Sequence, residues 1–160
     1  VKITRCSKGF IAISLSFIIL SGILDEPVLL AAGIVPGLFL FIRAGVFLKG
    51  ITEVKQTVRC ERTFEKTFIR QGKWNQLNVL VRFHVPYGFR VLYEDHIPSW
   101  CRKESGENCS GWCPDGFHEI SLSYRFIPAY HGNISHPGGR MRIRDRFFES
   151  SSSVQETENP

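Results

Sequence analysis

The sequence predicts a mainly β protein in which an N-terminal two-helix transmembrane hairpin is followed by an antiparallel β-sandwich of the immunoglobulin-like kind. Three observations predict it. Residues 1–50 hold two apolar blocks split by Asp25-Glu26-Pro27; from residue 52 apolar side chains recur at every second position; and Gly- and Pro-rich turns separate at least five such runs. With 160 residues, 43% hydrophobic and 22% charged, the chain has room for one ordinary domain beside the helices.

The helices come first. Residues 9–24 carry no charge, and residues 28–48 carry only Arg43. A bilayer span needs roughly 20 apolar residues, so the second block is long enough and the first relies on Lys8 snorkelling or a thinner bilayer. A cleaved secretory signal is disfavoured by the second, longer apolar block that follows at once, and a buried core hairpin by the lack of a polar face. The short first block leaves a re-entrant hairpin as the third alternative. Gly22, Ala31, Ala32, Gly33, Gly37 and Gly45 permit close helix contact, Pro36 is expected to kink the second helix, and Arg43 to snorkel to the headgroups. Lys2, Arg5 and Lys8 before the first span, and Lys49 and Lys55 after the second, contrast with the acidic turn; both ends are expected in the cytoplasm. The sequons at Asn108 and Asn133 point the other way, to a cell-surface sandwich.

The strands follow, in a domain expected over residues 51–148. Residues 77–85 alternate, with Leu77, Val79, Val81, Phe83 and Val85 on one side; Pro86-Tyr87-Gly88 supplies a turn, and Phe89, Val91 and Tyr93 resume the pattern, which reads as a hairpin. Further strands are expected over 119–126, 54–64 and 140–147. Residues 149–160, with four serines and almost nothing apolar, read as a disordered tail or linker; together with the N-terminal valine this suggests a fragment of a larger protein.

The net charge of +5 divides into +3 for residues 1–50 and +2 for the rest, so juxtamembrane basic residues account for most of it and nucleic-acid binding is not expected. No phosphate loop, paired-carboxylate site or dinucleotide fingerprint occurs. Cys101, Cys109 and Cys113 share one turn-rich insertion with His96 and His118. A zinc held by the three thiolates and His118 is the sharpest local hypothesis, although no Cys-x-x-Cys is present; reduced thiols or a disulfide are the alternatives, and Cys6 and Cys60 read as structural. A Cys-His-Asp nucleophile using Asp95 can be drawn on paper but lacks any feature to activate the thiol. Arg140, Arg142, Arg144 and Arg146 fall at every second position, a guanidinium row for an anionic partner or, more blandly, a solvated strand edge; Asp145 is expected to pair with an arginine and fix a turn. His84, His131 and His136 are scattered and read as surface or turn residues.

Several residues occur in a familiar order: Arg59 and Arg62, Gly72, Asp95 with Pro98, Pro128 with Gly132, then Arg144-Asp145 with Phe147-Phe148. In this order the chain resembles the N-terminal half of a family of archaeal and bacterial membrane proteins of unknown function whose C-terminal half is similar to a von Willebrand factor type A domain. It departs from that family at His131-Gly132, where Arg-Gly is usual, and at Arg146-Phe147-Phe148, where a proline and glycine turn is usual. The resemblance implies a non-enzymatic β-sandwich at the membrane, acting with a MoxR-type AAA ATPase or a downstream von Willebrand factor A-like domain. The expected function is therefore that of a membrane-anchored interaction or scaffold module, with a metal-binding or redox module at residues 101–113 as the alternative.

Overall fold

The computed structural model describes residues 1–64, 71–129 and 138–154. It contains two long apolar helices near the N-terminus, α1 (Arg5–Leu24) and α2 (Pro27–Thr57), both long and apolar enough to cross a membrane. Asp25 turns the chain in the left-handed region at φ 56°, Ser21 Oγ donates to the Glu26 carbonyl at 2.9 Å, and Pro27 opens α2 where its missing N–H is harmless. The expected hairpin is present. Its tightest contact is at Gly33, whose carbonyl accepts from Ser14 Oγ and where a Cβ would come within 2.7 Å of Ile18; Gly22 and Gly45 face open space and have no such role.

Among the described residues there are eight strands, numbered in chain order with β1 ahead of α1: β1 (Lys2–Ile3), β2 (Arg59–Phe64), β3 (Asn75–Val85), β4 (Arg90–Asp95), β5 (Cys101–Gly106), β6 (Gly116–Pro128), β7 (Gly139–Arg144) and β8 (Phe148–Val154). They form two antiparallel four-stranded sheets among the described residues, ordered β2-β3-β6-β5 and β1-β8-β7-β4. The inward residues of both sheets and of α2 belong to one hydrophobic core. Leu77, Val79, Val81, Phe83 and Val85 of β3 are all essentially buried, as their alternation predicts.

Four expectations are corrected. Residues 77–85 and 89–93 are not a hydrogen-bonded hairpin: β3 pairs with β2 and β6, whereas β4 pairs with β7 in the other sheet. Burial of one face of each run is served equally by pairing side by side or by facing across a core, so alternation cannot separate the two. The strand expected from residue 54 starts at Arg59, because the helix runs on to Thr57 with Phe47, Gly50, Ile51 and Val54 buried at helical spacing. The domain boundary at residue 50 therefore falls inside a helix whose last turns belong to the core. Residues 149–154 are not tail but strand: β8 pairs along its length with β7, and its serines are accommodated because the ladder uses backbone groups and only Phe148 and Val154 need be apolar. Residues 155–160, His131, Gly132, Asn133 and His136 lie outside the described residues.

The helices enter one end of the paired sheets. There Thr57 Oγ1 approaches the His84 carbonyl, Phe89 stacks on Phe47 above Gly50, and the turn between β7 and β8 rests on α1 and α2.

Candidate functional site

Three polar groupings stand out. The first is buried. Asp95, at the end of β4, is fully enclosed; its Oδ1 accepts from Arg62 Nη2 at 2.8 Å and from the Tyr93 hydroxyl at 2.9 Å, and its Oδ2 from the Tyr124 hydroxyl at 2.7 Å. Arg62 and Tyr124 come from one sheet and Tyr93 and Asp95 from the other, so this cluster ties the sheets together through the core. Burial opposes the Arg62 charge, but the hydrogen bond and attraction from Asp95 outweigh it and hold the guanidinium protonated. Burial, then the Asp95 charge, pushes both phenols well above the ordinary tyrosine range, so they stay neutral donors. A ring packed over Gly139 completes the enclosure: a Cβ there would collide with Tyr93. Arg62 and Asp95, singled out in the sequence, are thus brought together, but as an enclosed cross-tie without access for a substrate.

The second grouping joins the helices to the sheets. Asp145 Oδ1 accepts from the Phe147 and Phe148 N–H groups at 2.7 and 2.6 Å, and Oδ2 from Arg43 Nη2 at 3.0 Å. Asp145 does fix a turn and does pair with an arginine, and that arginine is on α2. Arg43 is therefore directed to this carboxylate and over the Phe147 ring, 5.7 Å from its centroid, instead of snorkelling freely. Thr4 donates through its N–H to Phe147 O and through Oγ1 to Arg146 O, and Phe147 packs edge-on against Phe10 and Phe39.

The third is exposed. Arg140, Arg142 and Arg144 project from β7 on the outer face of their sheet, while Met141 and Ile143 are buried on the inner one. Arg146 has left the strand and lies in the turn. Arg142 approaches Glu94 at 3.5 Å; Arg144 lies opposite Arg90 of β4, a like-charged cross-strand pair. Arg90, Arg144 and Arg146 have no ion-pair partner among the described residues, and with Gly88, Trp112 and Asp145 they line an open cleft of about 410 Å³. Arg90 and Trp112 carry no local signal in the sequence; only strand pairing across 54 positions brings Arg90 to Arg144.

The cysteines are spread out. Cys101 begins β5 at the edge of one sheet, whereas Cys109 and Cys113 bridge to Glu94 and Val91 along the outer edge of β4 in the other. Val91 and Glu94 are three strand residues apart, about 10 Å, which keeps Cys109 and Cys113 beyond the reach of one disulfide. Among the described residues no disulfide joins any two of the cysteines. His118 Nε2 lies 2.8 Å from the Pro114 carbonyl. Among the described residues no group of three or more His, Cys, Asp or Glu side chains lies close enough to hold a metal ion. Burial raises the Cys101 thiol to about 11 and raises those of Cys109 and Cys113 as well, the reverse of an activated nucleophile. Residues 108–113 instead serve to cover β4: Asp95 N–H donates to Asn108 O, Ser110 N–H to Tyr93 O, and Cys113 N–H to Val91 O.

No family model matches the chain, and no curated protein is significantly similar to it.

Proposed function

We propose that this chain is a membrane-anchored, non-enzymatic docking module: a helical hairpin in the bilayer holding an immunoglobulin-like sandwich rigidly at the cytoplasmic face. One observation carries the reading. Leu40, Phe47, Ile51 and Val54 of α2 lie in the same core as both sheets, so the anchor and the domain share one packed interior and no flexible linker separates them. Such a join holds a surface at a fixed height and orientation.

The immunoglobulin-like assignment is supported by strand order. With β2 to β8 as strands A to G, one sheet runs A-B-E-D and the other G-F-C, the constant-type arrangement, with β1 added beside G. Bilayer insertion is supported by the apolar side chains exposed along both helices, among them Ile13, Ile19, Ile23, Val35, Leu38 and Phe41. The cytoplasmic side is supported by the basic residues flanking both spans and by Asn108, whose amide nitrogen is engaged with the Asp95 carbonyl at 3.0 Å. By its resemblance to membrane proteins joined to a von Willebrand factor A-like half, its proposed partner is a MoxR-type AAA ATPase or such a domain.

Two measurements test this. Labelling of exposed Cys109 in intact cells by a membrane-impermeant maleimide should require detergent; labelling without it would place the sandwich outside. The detergent-solubilised full chain should co-migrate with a purified MoxR-type ATPase from the same organism without itself turning over ATP, and a failure to co-migrate would reject that partner.

A further inference from the structure

We propose that the cleft between Arg90, Arg144 and Arg146 binds the phosphate of an anionic lipid headgroup, an inference that rests on the reading of α1 and α2 as bilayer spans. Position is the first ground. The cleft is lined by the turn that sits on both helices, with Asp145 bonded to Arg43, the Arg146 carbonyl to Thr4, and Phe147 packed edge-on against both Phe10 and Phe39. Arg43 lies near the end of the apolar stretch of α2, and Thr4 immediately precedes α1, so the cleft opens where the spans leave hydrocarbon.

Charge is the second ground. Arg90 and Arg144 are opposed in register and unpaired among the described residues, an arrangement that repels unless an anion lies between them. Glu149 flanks Arg144 on its other side, but Lys2 is opposed to Glu149 in turn, leaving three cations to one carboxylate across that row. The carboxylate of Asp145 is already taken by Arg43 and two backbone N–H groups, so it does not neutralise the cleft. Guanidinium groups that line one cleft suit phosphate, whose oxygens they can bind bidentately.

The third ground is aromatic. Trp112, on the rim, is 41% exposed, and at the same end of the sheets Tyr87 is 91% and Phe117 67% exposed. Amphipathic and aromatic rings at this level are typical of the headgroup region. A soluble phosphate would find the same arginines but has no use for these rings.

The full chain, reconstituted into phosphatidylcholine nanodiscs with a minor share of phosphatidylglycerol and released into mild detergent, is analysed by native mass spectrometry for retained lipid. Wild type is expected to retain phosphatidylglycerol over phosphatidylcholine. The R90Q/R144Q double variant is expected to lose that enrichment by roughly tenfold or more, while R102Q, on the far sheet edge, keeps it. Because the double variant removes a like-charge pair, it should unfold no more easily than wild type in phosphatidylcholine alone, which separates lost binding from lost fold. No enrichment in wild type, or equal enrichment in the double variant, would overturn the site. Titration of inorganic phosphate into lipid-free micelles separates the sources: arginine-dependent phosphate binding without lipid enrichment would make the occupant soluble and overturn the lipid assignment. Alkaline carbonate distinguishes the underlying reading. A chain that stays in membranes but shows no lipid preference overturns only the headgroup site, whereas release by carbonate overturns the anchoring as well.

Discussion

Asp95 shows how a buried charge is kept in a small core: an arginine and a tyrosine share one carboxylate oxygen and a second tyrosine takes the other. Removing the carboxylate takes the charged partner at 2.8 Å from a buried guanidinium, so Asp95→Ala is expected to cost about 3–5 kcal/mol in denaturant unfolding. Tyr124→Phe removes one hydrogen bond to a charged group and should cost less, about 1.5–3 kcal/mol. The same phenols set an alkaline limit. Their folded pKa values are raised by burial and by Asp95, so their contribution is intact below the unfolded tyrosine value of about 10 and is lost as pH rises above it. Unfolding midpoints compared between pH 9 and pH 11 should fall for wild type and fall less for a Tyr93→Phe, Tyr124→Phe variant. The thiol of Cys101, held up at about 11, should alkylate slowly at pH 8 and its rate should still be rising at pH 10.

At the scale of elements, α2 does two things. Its first turns expose apolar side chains except along the side where Gly33 meets α1, while its last turns bury one face, Phe47, Gly50, Ile51 and Val54, against the sheets. A helix that served only as a tether would tolerate truncation at Phe47 within about 0.5 kcal/mol. As a core residue stacked on Phe89 and close to Phe148, Phe47→Ala is expected to cost about 3–5 kcal/mol, measured by unfolding in detergent. Gly50 lies under the Phe89 ring, which explains a glycine where helix propensity argues against one. Strand β8 is the complementary case. Its serines carry no apolar signal, yet every ladder position from Phe148 to Val154 lies against β7 or β1, and its amides should be protected from hydrogen exchange as β7 amides are.

For the whole molecule, both sheets and the second helix close around one interior, and the exposed apolar surface is concentrated on the two helices. A charge placed on that surface should oppose membrane integration: Leu38→Arg is expected to cost about 2.5–3.5 kcal/mol of insertion, read as a shift into the carbonate-soluble fraction. The same substitution at an outer strand position such as Ser121 should leave fractionation unchanged.

The sequence by itself determined the helical hairpin, its Asp25-Glu26-Pro27 turn, the buried face of β3 and the inward Met141 and Ile143 beneath an outward arginine row, because these depend on local periodicity and turn chemistry. It also pointed to Arg62, Asp95 and Asp145, as residue types in an order. Only the tertiary structure decided that β3 and β4 lie in different sheets, that α2 continues into the core, that the serine run is a strand, and that Arg43 meets Asp145 across 102 positions. It also decided that Cys101 lies apart from Cys109 and Cys113, and that Arg90 completes a cleft with Arg144. Each of these turns on which strands pair and which ends meet, and an alternating run of apolar residues is buried equally well by several such partners.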